Sequence, residues 1–415
     1  MKLAEVFEPA LRDVPEVALR AYDGSAIDRA DARVTLDIRS PRALAYLVTA
    51  PGELGLARAY VSGELGVSGE LGVSEDLHTA LTCLADAAPK LGYRSLLEIV
   101  RKLGPRGLRR PPRPPEEVGH AYGRFRRRQR DAAAISHHYD ISNDLYEIVL
   151  GPSMTYTCAL FPEEGTTLEE AQAAKHDLVC RKLGLQEGMT LLDVGCGWGG
   201  MVMHAARHYG VQALGVTLSR QQVLWAQKAI ASAGLARQAE VQHLDYRDVP
   251  PGQYDAIASI GLTEHVGARY LPSYFQLLHS RLKPGGRLLN HCIVRPTTDQ
   301  RHRGGALMSR YVFPNGELEG VGEIISAMQD NGFEIRHAEN LREHYARTLA
   351  CWTGNLDDHW SEAVDLVGEG SARVWALYMT GSRVGFERHS IELQQVLGVK
   401  VEPGGQAHMP RRSVW

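Results

Sequence analysis

The chain has 415 residues, 44% hydrophobic and 23% charged, which allows two domains with ordinary cores and excludes a disordered or fibrous protein. Its formal net charge of −3 implies no global attraction to nucleic acid or membrane, so any basic footprint has to be local. The six cysteines, Cys83, Cys158, Cys180, Cys196, Cys292 and Cys351, include no CxxC pair, as expected of a reduced cytoplasmic protein and against a metal site or a disulfide framework.

Glu5, Glu8, Asp13 and Glu16 interrupt the N-terminal apolar residues, so no signal peptide is expected there, and no run of about 18 apolar residues predicts a membrane span. Residues 1–103 read as a small mixed domain. Positions 34–39 alternate at strand period, and 41–47, 77–84 and 91–103 have helical spacing. Within it, Val61-Ser-Gly-Glu-Leu-Gly is repeated at once from Val67, which reads as a duplication inside a surface loop. Residues 104–119, with Pro105, Pro111, Pro112, Pro114 and Pro115, read as a stiff linker. Over 101–130, eleven arginines and lysines face two glutamates, a net of +9. That segment is either a solvated tether or a footprint for anionic phosphates, of lipid headgroups or of nucleic acid.

From residue 120 to 415 the chain changes character. Thr190-Leu-Leu-Asp-Val-Gly-Cys-Gly-Trp-Gly-Gly200 is an apolar strand that breaks into glycines and leads into a helix over 199–208, the layout of a nucleotide-type cofactor site. Further strands are predicted at 212–218, 239–244, 254–260 and 287–294, with helices at 220–233 and 271–282, the last closed by a Lys283-Pro-Gly-Gly turn. Strands alternating with helices imply an α/β fold with a parallel, doubly wound, Rossmann-like sheet. An insertion near 295–320, a helix at 322–330 and a strand-like stretch at 390–401 follow.

The glycines at 195, 197 and 200 satisfy the dinucleotide spacing, but the second strand ends Gly215-Val-Thr-Leu-Ser219, with no acid for a ribose diol. The third ends Leu244-Asp-Tyr-Arg-Asp248, where an acid beside an aromatic suits an adenine. S-adenosylmethionine accommodates these features, since it needs no pyrophosphate cradle.

Seven motifs then stand in the order and spacing of one family. They are His138-Tyr-Asp-Ile-Ser-Asn143, Met154-Thr-Tyr-Thr-Cys158, the glycine loop with Gly215–Ser219, Asp245-Tyr-Arg-Asp248, Ser259-Ile-Gly-Leu-Thr-Glu-His-Val-Gly267, His291-Cys-Ile293 and His344-Tyr-Ala-Arg-Thr-Leu349. The chain resembles the cyclopropane-fatty-acyl-phospholipid synthases, the mycolic acid cyclopropane synthase family. It looks closest to the actinobacterial branch that includes 10-methylene-forming enzymes, through Leu289-Asn-His-Cys-Ile293 and Arg310-Tyr-Val-Phe-Pro314.

The resemblance implies a class I methyltransferase fold and transfer of the sulfonium methyl to a cis double bond of an acyl chain in a phospholipid, at the inner membrane surface. The resulting cation closes to a cyclopropane or, after a hydride shift, leaves a 10-methylene branch, whose reduction would need a separate reductase. Bound bicarbonate is the implied base, cradled by residues similar to Cys158, Glu264, His291, Ile293 through its amide, and Tyr345. The implied cofactor contacts are Tyr156, Gly195, Gly197, Thr217, Leu218, Ser219, Gln222, Tyr246, Ile260 and His265. A homodimer is a further implication. Two departures stand out. Thr263 replaces an aromatic beside Glu264, which predicts a reshaped pocket around the cation, and Cys292 replaces a threonine. The alternative, a nucleic-acid methyltransferase using 101–130, lacks the Asn/Asp-Pro-Pro-Tyr/Phe signature and the Pro-Cys nucleophile.

Overall fold

Alternation at period two puts Val34, Leu36 and Ile38 on one face of a strand, and that face is buried. In the computed structural model, which describes residues 2–87, 97, 99–101, 110–117, 142–250, 252–298, 305–313, 316–412 and 415, this strand lies in the first of two compact units. The first unit comprises Met1–Ala121, Gly305–Pro314 and Leu349–Val384. Its sheet contains β1 (Val17–Ala21), β2 (Ala26–Ile27), β3 (Val34–Ile38) and β4 (Leu65–Ser68) in the order β2-β1-β3-β4. Leu3, Phe7, Leu19, Leu36 and Leu44 are part of its core.

The duplicated hexapeptide is not a surface loop. Its first copy runs from the last turn of the helix Glu53–Val61 into β4, and its second begins inside β4 and ends at Gly72, just before the helix Val73–Ala87. Identical sequences adopt different structures because tertiary pairing with β3 outweighs local preference.

The end of the expected linker is also packed. Tyr46 Oη donates to the Pro112 carbonyl at 2.6 Å, and the buried Glu117 carboxylate accepts from Arg58 Nε and Nη2 at 2.7 and 2.8 Å. Arg113 and Arg310 stand 3.8 and 3.5 Å from the same carboxylate. The division at 103, 119 and 120 therefore differs from the observed units, because 110–117, 305–314 and 349–384 pack with the N-terminal residues. Asp357, for example, accepts the Ser74 and Glu75 amides at the start of Val73–Ala87. Helical spacing shows that a segment has an apolar face but not which core will receive it. The Arg124–Arg130 cluster, His138-Tyr-Asp-Ile and most of 91–103 lie outside the described residues.

The second unit comprises Tyr122–Gly304, Asn315–Thr348 and Gly385–Trp415. Its strands are β5 (Thr190–Val194), β6 (Gln212–Thr217), β7 (Ala239–His243), β8 (Tyr254–Ile260), β9 (Leu282–Val294), β10 (Phe333–Asn340) and β11 (Glu392–Lys400). They form one sheet in the order β10-β11-β9-β8-β5-β6-β7, parallel from β9 to β7, with β11 antiparallel to β9 and to β10. This is the mostly parallel, doubly wound sheet that the alternation of strands and helices predicts. Leu191, Val202, Ala205 and Val241 belong to one core cluster, and Leu192, Val194, Ile257 and Leu288 to another. Lys283–Gly286 does not form a closing turn but lies within β9, where the register against β8 shifts. Chain order reverses at β5, between β6 and β8, which opens a crevice at the carboxyl ends of the strands.

Removing the Glu117 carboxylate deprives the half-buried Arg58 of its two hydrogen bonds to a fully buried acceptor. Glu117→Ala is expected to destabilise the first unit by about 3 kcal/mol, read as a lowered thermal or urea midpoint. An unchanged midpoint would show that the pair contributes nothing to stability.

Candidate active site

The carboxyl ends of β5, β6 and β8 converge on a cavity of about 1120 Å3, its open mouth included. Gly195 and Gly197 take φ of +77° and +55°, and a Cβ on Gly195 would meet Leu262 side-chain atoms at 3.2 Å. The Gly195 and Cys196 amides both donate to the Val216 carbonyl, at 2.9 and 3.1 Å, so the loop is tied to the end of β6. Ser219 caps the helix Arg220–Ser232 by accepting from the Gln222 amide at 3.3 Å, and Thr217 Oγ1 donates to Gln222 Oε1 at 2.7 Å. Tyr156, Gly195, Gly197, Thr217, Leu218, Gln222, Tyr246, Ile260 and His265 all line the cavity. Ser219 does not; it is buried behind them. Asp245 is not on the lining either. Its carboxylate is taken by Arg247 Nε at 2.7 Å, leaving Tyr246 and Arg247 as the lining residues of that turn.

Sequence reasoning missed two lining residues, Lys175 and His176, on the helix Leu168–Leu183. A lysine and a histidine in a helix read by default as solvent-facing, so no local signal marks them. Lys175 is 1% exposed, and its Nζ donates to Thr157 Oγ1 at 2.9 Å. Burial pulls it down to about 7, against Cys158 and Asp193, which raise it. Asp193, at the end of β5, is pushed up to about 7 by burial, opposed by Lys175, and its Oδ1 is buried without a hydrogen-bond partner. Burial also lowers His265 to about 4 and, with Lys175, His204 and His291, holds His176 well below the usual range. Met154, another lining residue, adopts φ +44°, a conformation that L side chains rarely take.

None of the five residues expected to hold the base is on this lining. Glu264 sits in a 3-10 turn, Thr263–His265, directly after β8. Its Oε1 accepts the Ile293 amide of β9 at 2.8 Å, while Oε2 is buried and has no partner. The Ile293 amide therefore anchors Glu264, in contrast to the expectation that it faces an anion. Burial pushes Glu264 up to about 7, against the stabilising amide bonds. His291 shares the strand at two-residue spacing, fully buried, with Nδ1 3.1 Å from Gln395 Nε2 and Nε2 unpartnered. Cys158 is buried with Sγ 3.7 Å from the Leu341 carbonyl, and burial raises its thiol well above the ordinary value. Ala159 N donates to Thr348 Oγ1 at 3.0 Å, which ties this stretch to the helix Arg342–Asp358 that carries Tyr345. The Tyr345 ring packs 4.5 Å from that of Phe386.

The two departures from the family pattern turn out to be one feature. Thr263 Oγ1 donates to Asn290 Oδ1 at 2.6 Å, and Asn290 Nδ2 donates to Cys292 Sγ at 3.2 Å. Thr263 is buried in this set and is not among the residues that line the cavity.

Known proteins resemble this chain in sequence and in fold. Residues 126–396 match the family described as mycolic acid cyclopropane synthetase. The chain is 50% identical over 402 residues to the probable fatty acid methyltransferase Rv3720 of Mycobacterium tuberculosis (strain ATCC 25618 / H37Rv), over 95% of this chain and 93% of that protein. It is 34% identical over 389 residues to the tuberculostearic acid methyltransferase UfaA1 of the same strain, over 90% of this chain and 85% of that one. Among solved structures it is similar to the mycolic acid cyclopropane synthase CmaA1 complexed with SAH and CTAB, at 34% identity and a TM-score of 0.61, over 64% of this chain and 97% of that one.

The raised Glu264 carboxyl has a consequence for stability. An acid whose folded value lies above its unfolded one weakens the fold only when ionised. The cost is absent below about 4.5, grows up to about 7 and is constant beyond. Glu264→Gln is thus expected to stabilise the protein above pH 7, by about 3 kcal/mol at most, read as a raised thermal midpoint, and to leave the midpoint unchanged below pH 4.5. A pH-independent difference between the two proteins would refute the assignment.

Proposed function

This chain belongs to the mycolic acid cyclopropane synthetase family of S-adenosylmethionine-dependent methyltransferases, and we propose that it methylates the cis double bond of an unsaturated fatty acyl chain carried by a phospholipid. Bound S-adenosylmethionine supplies an electrophilic methyl on a sulfonium. The residues that would hold it are the nine lining ones named above, with Gly195 and Gly197 allowing close backbone approach and Ser219 fixing the helix behind. An alkene is a weak nucleophile, so the protein's contribution is to hold the two reactants in line and to keep water from the cation that forms.

The observation that carries this reading is the pair of buried, unpartnered atoms Glu264 Oε2 and His291 Nε2. A leftover acceptor and a leftover imidazole nitrogen beside the cofactor cavity fit a small anion that can both donate and accept, as bicarbonate does. When bound, bicarbonate would supply the base that takes a proton from the transferred methyl. Glu264 Oε1 is held by the Ile293 amide, which leaves Oε2 free to accept a hydroxyl proton. His291, Tyr345 and Cys158 complete the proposed cradle, and the buried thiol stays protonated, so Cys158 acts as a small neutral group.

Among the described residues no helix is long and apolar enough to cross a membrane, so access to lipid is proposed to occur at the membrane surface, through the basic 101–130 segment. The relative named tuberculostearic acid methyltransferase supports a 10-methylene product, and the cyclopropane synthases support ring closure.

Incubation with methyl-labelled S-adenosylmethionine and oleoyl phospholipid vesicles, followed by mass spectrometry of the acyl chains, is expected to place label in lipid and to distinguish a ring from a methylene branch. Label in added RNA and none in lipid would sink the proposal. Glu264→Gln is expected to abolish turnover while leaving cofactor binding intact; retained turnover would mean that Glu264 does not serve the proton transfer. Activity on anionic vesicles is expected to fall as salt is added, whereas a salt-independent rate would return the basic segment to a tether.

A further inference from the structure

His291 stands directly opposite Gln395 in the β9–β11 register, and Gln395 stands opposite Glu339 in the β11–β10 register. The three residues form one row across three strands. Lys182, on the helix Leu168–Leu183, is buried over this row, with its Nζ 2.7 Å from Gln395 Oε1 and paired with the Glu339 carboxylate. Gln395 Nε2 is in turn 3.1 Å from His291 Nδ1. Gln395 is 1% exposed, as is His291.

Only one proton arrangement satisfies every contact in this row. An ammonium donates and never accepts, so the Gln395 atom that meets Lys182 is the carbonyl oxygen. The amide nitrogen then faces the imidazole and has only hydrogens to offer, so His291 Nδ1 must accept. Burial, helped by Lys175 and Lys182, holds His291 well below the usual range, which keeps the ring neutral. A neutral imidazole whose Nδ1 accepts carries its hydrogen on Nε2. Nε2 is the ring atom without a partner.

We propose that Gln395 is a positioning residue that fixes His291 as the Nε2–H tautomer, with Lys182 and Glu339 fixing the direction of the Gln395 amide. His291 then presents a single hydrogen-bond donor to an anion and cannot take a proton at Nε2, which removes it as a candidate base. The tautomer follows from the row itself; its value for turnover rests on the proposed reaction.

The test is nitrogen-15 spectroscopy of the full chain labelled at histidine, with the His291 ring assigned by the signals lost in His291→Gln. Bare and protonated ring nitrogens differ widely in shift, so the tautomer is read directly. The expected wild-type ring is protonated at Nε2 and bare at Nδ1. Gln395→Glu keeps the shape but replaces the donor by an acceptor, and is expected to move a proton to Nδ1. It is also expected to lower kcat about tenfold or more, as loss of outer-shell partners does elsewhere, with cofactor affinity little changed. Lys182→Met frees the amide to turn and is expected to give a mixture of tautomers. A wild-type ring protonated at Nδ1, or ring signals unmoved in Gln395→Glu, overturns the proposal even if activity is lost. Rings that behave as expected in a protein that transfers no methyl to lipid would fault the proposed reaction and leave the tautomer assignment standing.

Discussion

Burial of ionisable groups with incomplete partners is the constraint on which this site depends. Water solvates charge so strongly that removing it moves protonation equilibria by several units unless protein dipoles take its place. Here the replacement is partial. Glu264 keeps one amide donor, Asp193 has Lys175 nearby, and Lys175 has a threonine hydroxyl, and all three are brought to about 7. Groups that would be fully charged in water stand close to half ionised at neutral pH. Of the three, Lys175 and Asp193 line the cavity, so their protonation responds to whatever charge enters it.

The sheet supplies the rigidity that such a site requires. β8 ends in the turn that carries Glu264, β9 carries both His291 and the amide that holds Glu264, and β11 carries the glutamine against His291. Strands spaced by backbone hydrogen bonds hold these side chains more firmly than a loop would. The antiparallel β11 matters because it closes β9 on the side away from β8 and so gives the imidazole its second contact.

The parts of the fold that could be read from the residues are those where one face or both are apolar. β5 and β8 lie at the predicted limits because buried parallel strands are continuous apolar runs. β10 was not legible, since an edge strand with a burial pattern alternating down Phe333–Asn340 carries Glu, Arg, His and Asn and resembles a loop. In the site, the glycine turn was readable because its spacing is local, whereas Glu264 and His291 were reached only through the family resemblance. Lys175, Gln395 and the Thr263–Asn290–Cys292 set were not readable, since each gains its meaning from a residue on another element. The same holds for Glu117, which looks like part of a charged linker until Arg58 is brought against it.

The repeated hexapeptide has a consequence for how the chain finds its fold. Leu65-Gly-Val-Ser68 forms the edge strand β4, and the same four residues recur at 71–74, where Ser74 instead opens a helix. A six-residue slip is even, so it would present the same side chains to the same face, and the sheet edge alone has little means of rejecting it. The second copy is held away from the edge by Asp357, which binds the Ser74 amide across 283 positions of sequence. Which copy takes the edge thus rests on a contact between distant parts of one chain.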